Sequence, residues 1–599
     1  MLAAIGLWAS ERPPSGPVLW AFPLWAAAWL LRWLRLGRPT RSTPLDWPLL
    51  IFGLTALVGL WAAPDRGTAL VRLDFLLGAA GLYYALANSP APARPLFAYG
   101  LGFTAALLAL YFASQNNWTD SPAKFALVGQ VGRLLNRLTP QWHLYQPNGN
   151  VVANLLALAL PVPVVQAIAG FRAWSAGGWA RRLAPALAAG LALVILFGLV
   201  MTESRASALA LGGTAALAAW WWLAGRAVQR SGRGRAPIFA AGVGAAALVV
   251  VLVAIARPNV LTAALGSLPG PNSAISRTEL YGQAWRLAQD APYTGGGLGA
   301  FPGLYSTYIL DVPNLYLTHA HNAYLNVLVE QGWPGLIGFV AVLAAAMLAG
   351  LRQLREHTPG DRPLVIAGLL GLAVLMLQAL GDGTLLASRV ELAWLVPAGL
   401  AVGAWVSAPG QRPLTAAPAA PTNLRRRLGW ALAICAVVAG LGLLTWHSWL
   451  AAWYADLSSV SFARIQLESW PTNQWSDGHE APQLAASEPE LNRALALQPS
   501  NVTALYRLGI LAGLQRNFPA AVTSLSAAHR LDPGHRGVLK ALAYAYVWAG
   551  DSQDAGPLLK SVPEAANEMA VYTWWWGTQG HPDLAERARL AAAQLAAAP

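Results

Sequence analysis

The chain has 599 residues, of which 56% are hydrophobic and 11% charged, with a formal net charge of +13 at pH 7. That charged fraction is under half the ~25% usual for soluble domains, and many apolar runs reach the ~17–25 residues a spanning helix needs. A soluble protein with buried helices would show a polar face on each run, and these runs show none. The positive excess is not a nucleic-acid signal. Residues 447–599 carry 10 Lys+Arg and 13 Asp+Glu, and the first 446 carry 30 basic and 14 acidic residues, mostly in short loops. The single cysteine, Cys435, lies inside an apolar run, which excludes a disulfide framework and a Cys metal site. The first apolar run lacks a basic n-region and a cleavage site, so no cleavable signal peptide is expected.

The hydropathy pattern predicts an all-α fold: a polytopic membrane helix bundle followed by a soluble α-helical repeat domain. About twelve spanning helices are expected, at 16–34, 47–63, 68–88, 96–115, 150–170, 184–202, 206–224, 237–256, 334–350, 363–381, 385–407 and 428–446. The domains follow as 1–446, with a large loop at 257–333, and 447–599.

Alternate short loops are rich in arginine: 32–41, 171–183, 225–236, 351–362 and 408–427. The positive-inside rule puts these in the cytoplasm. The turns at 64–67, 116–149, 203–205, 257–333 and 382–384, and everything after 446, then lie outside. The N-terminus would also be external, and residues 1–15 resemble half a helix, so an initial span is missing or shortened.

The segment 276–292 (SRTELYGQAWRLAQDAP) opens the ordered part of the long loop. Ser276 and Glu279 form a capping-box signature, and Leu280, Ala284, Leu287 and Ala288 share one helical face, so a helix along the membrane surface is expected. Arg277 in its first turn is either solvated or turned toward an anion, for which a guanidinium suits bidentate contact. The run YTGGGLGAF at 293–301 is a Gly-rich turn that a ligand could approach. Arg205, at a tight external turn, either snorkels to lipid head groups or faces the bundle as a fixed cation. His321 opens an apolar helix, as a hydrogen-bonded cap or as a proton acceptor with a pKa near neutrality. His319 is two residues away, so on a helix the two could not point the same way, and a metal site is not expected.

Residues 485–560 repeat with a period of 34: Pro499 with Pro533, Leu508 with Leu542, Gly509 with Ala543, Asn517 with Asp551 and Ala521 with Ala555. That is the tetratricopeptide pattern, a stacking helical unit that serves docking or spacing and carries no chemistry of its own.

The stretch HNAYLNVLVEQGWPG, opened by His321 and Asn322 and closed by Gly332 and Gly335, resembles the motif of the O-antigen ligase and polymerase superfamily. QPNGNVVANLLALALP at 146–161 is similar to its PN-containing helix start. The resemblance covers roughly residues 45–410. It implies transfer of a glycan from an undecaprenyl-diphosphate carrier to an acceptor hydroxyl of a lipid, a glycan or a protein, at the outer face of a bacterial inner membrane. His321 would be the base, with Arg205 and Arg277 on the leaving diphosphate and His319 and Asn322 lining the substrate. The reaction would be inverting, with no metal and no cofactor. The appended repeats, which would take a protein partner, and the external N-terminus are departures from ligase norms. A polymerase or a protein O-oligosaccharyltransferase is the near alternative. A transporter would favour charge pairs deep in helices, for which Arg72 with Asp74 and Arg389 with Glu391 are candidates, and a membrane-anchored scaffold would leave the His-Asn motif unexplained.

Overall fold

A computed structural model describes residues 40–119, 123–140, 148–172, 179–231, 277–311, 317–356, 361–386, 389–403, 424–468 and 478–597, with a few isolated positions at 29–31, 33–35, 37 and 470–471. Among the described residues the regular structure is entirely helical. In chain order the helices are α1 (Asp46–Ala62), α2 (Arg66–Ala87), α3 (Arg94–Gln115), α4 (Ala126–Leu138), α5 (Gly149–Ala159), α6 (Pro161–Arg172), α7 (Trp179–Thr202) and α8 (Arg205–Ser231). There follow α9 (Arg277–Asp290), α10 (Phe301–Tyr305), α11 (Ala323–Glu356), α12 (Arg362–Gln378), α13 (Val396–Gly403) and α14 (Leu424–Gln466). The chain ends with α15 (Ala481–Ala485), α16 (Glu488–Leu497), α17 (Val502–Leu514), α18 (Phe518–Leu531), α19 (Arg536–Ala549), α20 (Ser552–Lys560), α21 (Ala565–Thr578) and α22 (Pro582–Ala596).

Among these, six stretches are long and apolar enough to cross a membrane: 66–87, 94–115, 149–172, 183–202, 205–226 and 323–355. The stretch 149–172 joins α5 and α6, while α1 and α12 are apolar but shorter. Their outward faces are greasy: Leu54 is 53% exposed, Leu193 67% and Ile337 62%. So large an exposed apolar surface suits lipid rather than water, and the chain is a multi-pass membrane protein. The expected spans at 16–34 and 237–256 lie mostly or wholly outside the described residues, as do residues 232–236 of one arginine loop, most of the loop at 408–427, and the loop segment 257–276 with Ser276.

One expected span is corrected. Residues 385–407 do not form a single helix: short 3-10 turns at Thr384–Leu386 and Arg389–Leu392 precede the eight-residue α13. Pro397 has no N–H to continue a helix from upstream, and the buried Glu391 must face Arg72 on α2. Trp394, buried in the same segment, packs edge-on to Phe52 of α1 and tilted against Phe339 of α11, with ring centroids 5.9 and 5.3 Å apart. The expected span at 428–446 falls within α14, which runs unbroken for 43 residues, so the domain boundary drawn at 446/447 lies inside one helix.

The 34-residue period has a structural counterpart in the helix caps. Asn501 caps α17 and His535 caps α19; Asn517 caps α18 and Asp551 caps α20. Each side chain accepts a backbone N–H that a first turn would otherwise leave unpaired. Gly509 permits close approach of the paired helices, since a Cβ there would stand 2.5 Å from Leu525.

These helices clamp the long loop instead of standing apart from it. The face of α9 read from the sequence (Leu280, Ala284, Leu287, Ala288) is buried, in one apolar cluster with Tyr506, Leu525, Val538 and Leu542. The apolar face of α9, expected to meet the membrane surface, is thus packed between α11 and the C-terminal helices. Arg507 makes a buried ion pair with Asp290 at 3.1 Å, and Thr503 donates to the same carboxylate at 2.8 Å. Arg286 grips Asp532 with two hydrogen bonds of 2.6 and 3.1 Å. Lys540, wholly buried, donates to the Leu310 carbonyl at 2.7 Å. Asp456 on α14 accepts the backbone N–H groups of Tyr293 (2.7 Å) and Thr294 (3.2 Å) and the Thr294 hydroxyl.

Removing one partner of a buried pair leaves an uncompensated charge, at a cost of about 3–5 kcal/mol. Arg507→Ala should therefore lower the denaturation free energy of the C-terminal helical region by roughly that amount. It should also raise hydrogen exchange across residues 277–290, as mass spectrometry would read.

Candidate active site

The site is assembled at the bundle end where α1, α7 and α12 finish and α5, α8 and α11 begin. Its base is a buried relay of charge and amide. Arg72 donates to Glu391 at 3.0 Å and to Glu330 at 3.2 Å. The second oxygen of Glu330 accepts from the Asn326 amide at 3.0 Å. Asn326 Oδ1 in turn accepts the Ala320 N–H at 3.1 Å, so the backbone between the two histidines is pinned to α2. The pairing of Arg72 with Asp74 and of Arg389 with Glu391, weighed from the sequence as a transport signature, gives way to this link across helices.

Helix α11 is broken by Gly332, with φ 66° and ψ −170°. The Gly-rich turn serves that break. Gly296 and Gly297 donate to the Val329 and Glu330 carbonyls, and Trp333 donates to Pro292 O, satisfying groups that a helix end leaves open. A Cβ on Gly295 would stand 2.3 Å from backbone atoms of Glu330 and Gln331. The close approach read from the three consecutive glycines is thus made by the protein's own main chain. Beyond the break, Gly335 packs against Gln331.

His321 lies ahead of α11, not on it, in the left-handed region at φ 51°. Such a conformation costs a non-glycine residue roughly 1–2 kcal/mol. Tyr281 of α9 lies within hydrogen-bond reach of both carbonyls that flank the turn, His321 O at 3.0 Å and Leu380 O at 3.1 Å. The His321 N–H donates to His319 Nδ1 at 3.3 Å, and the two rings stand edge to face with centroids 4.3 Å apart. The helical argument that kept these two side chains apart is corrected: the backbone here is not helical, so an i,i+2 pair converges. Accepting at Nδ1 puts the His319 proton on Nε2 when the ring is neutral.

Asp382, from the turn after α12, joins them. Ligand atoms of His319, His321 and Asp382 all lie within 4.8 Å of one another. The carboxylate is held by Asn154 at 3.1 Å and by the Thr384 N–H at 2.9 Å. Asn154 also reaches the Thr384 hydroxyl and accepts from Gln378, whose amide donates to Ser207 of α8 at 2.7 Å. Asp382 was not among the residues singled out from the sequence, although its three-residue turn was placed on the external side. An acidic residue in so short a turn between apolar helices was the available signal. These three side chains make a plausible donor set for a divalent cation, since imidazole and carboxylate are usual zinc ligands.

The other residues fall around this centre. Arg277, the first residue of α9, donates to the Gly381 carbonyl at 2.6 Å, next to Asp382. Gly381 lies between α8 and α9, since a Cβ on it would stand 3.8 Å from both Ala206 and the Arg277 guanidinium. Arg205 is exposed at the start of α8, one residue before that contact. Asn322 is occupied locally: its side-chain oxygen accepts the Leu325 N–H at 3.1 Å, capping the first turn of α11. Asn148, from the PN stretch, likewise caps α5. The structure therefore groups His319, His321 and Arg277 with Asp382, leaves Arg205 at the adjacent helix start, and gives Asn322 a capping bond.

Electrostatics keep the imidazoles neutral. Burial, then the charges of His321, Arg72 and Arg277, pull His319 down to about 3. Burial and the nearby Arg277 also lower His321, against the opposing pull of Asp382. A neutral imidazole at neutral pH is free to accept a proton.

Residues 190–340 match the family model described as O-antigen ligase. That range contains Arg205, Arg277, His319, His321, Asn322, Gly332 and Gly335, and the match suggests a glycosyl-transfer function at a membrane. No curated protein matches the chain.

The low His319 value carries a pH signature. A group that is harder to protonate folded than unfolded contributes stability above its unfolded value of 6.5, lost as the pH falls toward about 3. His319→Gln should flatten that acid-side loss in a denaturation series from pH 7 to pH 4, and a slope equal to that of the unaltered protein would contradict the burial of this ring as a neutral base.

Proposed function

We propose that the chain is a membrane glycan transferase of ligase type, moving a glycan from an undecaprenyl-diphosphate carrier to an acceptor hydroxyl at the outer face of a bacterial inner membrane. The observation that carries this reading is the convergence of a neutral imidazole and a guanidinium at one end of a lipid-exposed bundle, within the segment that matches the ligase family. Arg172, Arg226, Arg352 and Arg355, toward the far ends of α6, α8 and α11, support the external placement of this end.

In this reading His321 takes the proton of the acceptor hydroxyl as its oxygen attacks the anomeric carbon. The bond from that carbon to the diphosphate oxygen breaks, and the diphosphate leaves with the electron pair. Its growing negative charge meets the guanidinium groups of Arg277 and Arg205. Fixed cations stabilise such a transition state without reorganising, and a guanidinium retains N–H donors beyond the one Arg277 gives to Gly381. A single in-line displacement inverts the anomeric centre. His319 sets the His321 backbone, Asp382 balances the charge of the imidazolium that forms, and Asn322 borders the acceptor while capping α11. The tetratricopeptide-like helices hold the loop and offer a surface for a protein partner.

The cluster of His319, His321 and Asp382 favours a second reading, in which a divalent cation there polarises the diphosphate. Transfer that survives prolonged chelation and is unaffected by added zinc or magnesium supports the metal-free route. Transfer abolished by chelation and restored by one of these ions would replace it.

His321→Ala should reduce glycan transfer about 10²–10⁴-fold, the usual contribution of general-base catalysis, with normal membrane insertion. Unchanged transfer in that variant, with loss only on deletion of residues 485–599, would instead mark a scaffold. The acid limb of the pH–rate profile should lie below 6.5, because His321 is harder to protonate than a free imidazole. Asp382→Asn, which removes the group favouring the imidazolium, should move that limb further down; a shift upward would oppose the assignment.

A further inference from the structure

A cleft opens among α17, α18, α19 and α21, on the side where the long loop meets the C-terminal helices. It encloses about 170 Å³, comparable to the ~150 Å³ cavity that accepts a single six-membered ring. Tyr544, Trp548, Tyr572 and Trp576 line it, and Gly513, beside which a Cβ would meet nothing within 4 Å, leaves it open on the α17 side. The rings stand edge to face, Trp548 against Trp576 at 5.7 Å and against Tyr572 at 5.1 Å between centroids.

Two polar groups in this aromatic lining have no partner. Trp576 is 9% exposed, and its indole N–H makes no hydrogen bond. Asp311, from the loop, lines the same cleft, and among the described residues its carboxylate makes no hydrogen bond or ion pair. A buried donor left unpaired costs free energy, so the indole N–H, with the partly buried Asp311 carboxylate beside the same space, points to a missing ligand. That ligand must offer an acceptor to the indole and a donor to the carboxylate, between apolar faces. A hydroxyl does both. An ammonium lacks the acceptor, and a phosphate or carboxylate anion lacks the donor that Asp311 needs.

We propose that this cleft is a saccharide subsite, taking a pyranose residue of the glycan on aromatic faces, with hydroxyl groups bonded to Asp311 and Trp576. Asp311 precedes His319 by only eight residues, so even a fully extended chain separates them by no more than ~28 Å. The segment leading into Asp311 is gripped by the cleft's own helices, through Tyr506 to Tyr308 O (2.9 Å) and Lys540 to Leu310 O (2.7 Å). A sugar held here thus belongs to the same glycan whose end lies near His321, several residues along. The proposal rests on the glycan-transfer reading for its physiological ligand, while sugar binding itself is measured without catalysis.

The test uses the purified full chain in detergent micelles, titrated with tetrasaccharides of glucose, of N-acetylglucosamine and of galacturonic acid. Binding is read by tryptophan emission and by calorimetry. At least one probe should bind, and affinity should fall about tenfold or more in Asp311→Asn and in Trp576→Phe, the loss of one hydrogen bond to a charged or buried group. Asp311→Asn keeps side-chain shape, Trp576→Phe keeps an aromatic face without the N–H, and unchanged thermal melts confirm that both fold. Absence of binding by all three probes overturns the proposal, as does equal binding by both variants. Binding of choline or of a free-carboxylate peptide, with no sugar bound, assigns the cleft to those ligands instead. His321→Ala should bind the sugar like the unaltered chain. If transfer persists without sugar binding, only the cleft assignment falls. If sugar binds but His321→Ala still transfers, only the catalytic reading falls.

Discussion

The site depends on one guanidinium shared by two carboxylates in the interior of the bundle. Arg72 lies between Glu330 and Glu391, drawn from α2, α11 and the irregular segment before α13. Charges taken out of water are costly unless they are paired and fully hydrogen-bonded. That demand draws three distant parts of the chain together and explains why the segment around Glu391 gives up helical geometry. Through Asn326 the same link fixes the Ala320 backbone, and so the direction of both imidazoles. A histidine in a left-handed turn needs such support, because its preferred conformation lies elsewhere.

Around this link the polar groups form two shells of different origin. One is local: Asn322 and Asn148 cap the helices that start at the site, and the glycines of 295–297 close the break at Gly332. The other is long-range: Gln378, Asn154, Ser207 and Thr384 fix Asp382 from four separate elements. Since these are the ends of helices whose remaining length is apolar, the polar chemistry is concentrated at one end of the bundle.

What could be read from the sequence follows the same division. Local patterns were legible: the apolar spans, the motif from His321 to Gly335, the buried face of α9 and the 34-residue spacing that reappears as paired caps. Each rests on neighbours within a few turns. Glu330 and Glu391 meet Arg72 from 258 and 319 residues away, and no local periodicity encodes such a contact, so nearer charges looked like the partners. The convergence of His319 and His321 was missed for a related reason. Residue spacing predicts direction only once the backbone is known, and a single left-handed residue reverses the conclusion. Asp382 had a place in a short turn between apolar helices but no motif to single it out.

The uninterrupted course of α14 has a mechanical consequence. At 1.5 Å per residue its 43 residues make a rod of about 65 Å, and its outer half is buttoned to the loop by Asp456. A stiff mast of this kind has no joint at the lipid boundary. The C-terminal helices cannot swing aside like a tethered arm, so they must tilt together with the bundle. Any separation of the C-terminal helices from the loop must therefore break the bonds to Asp456 instead of bending α14.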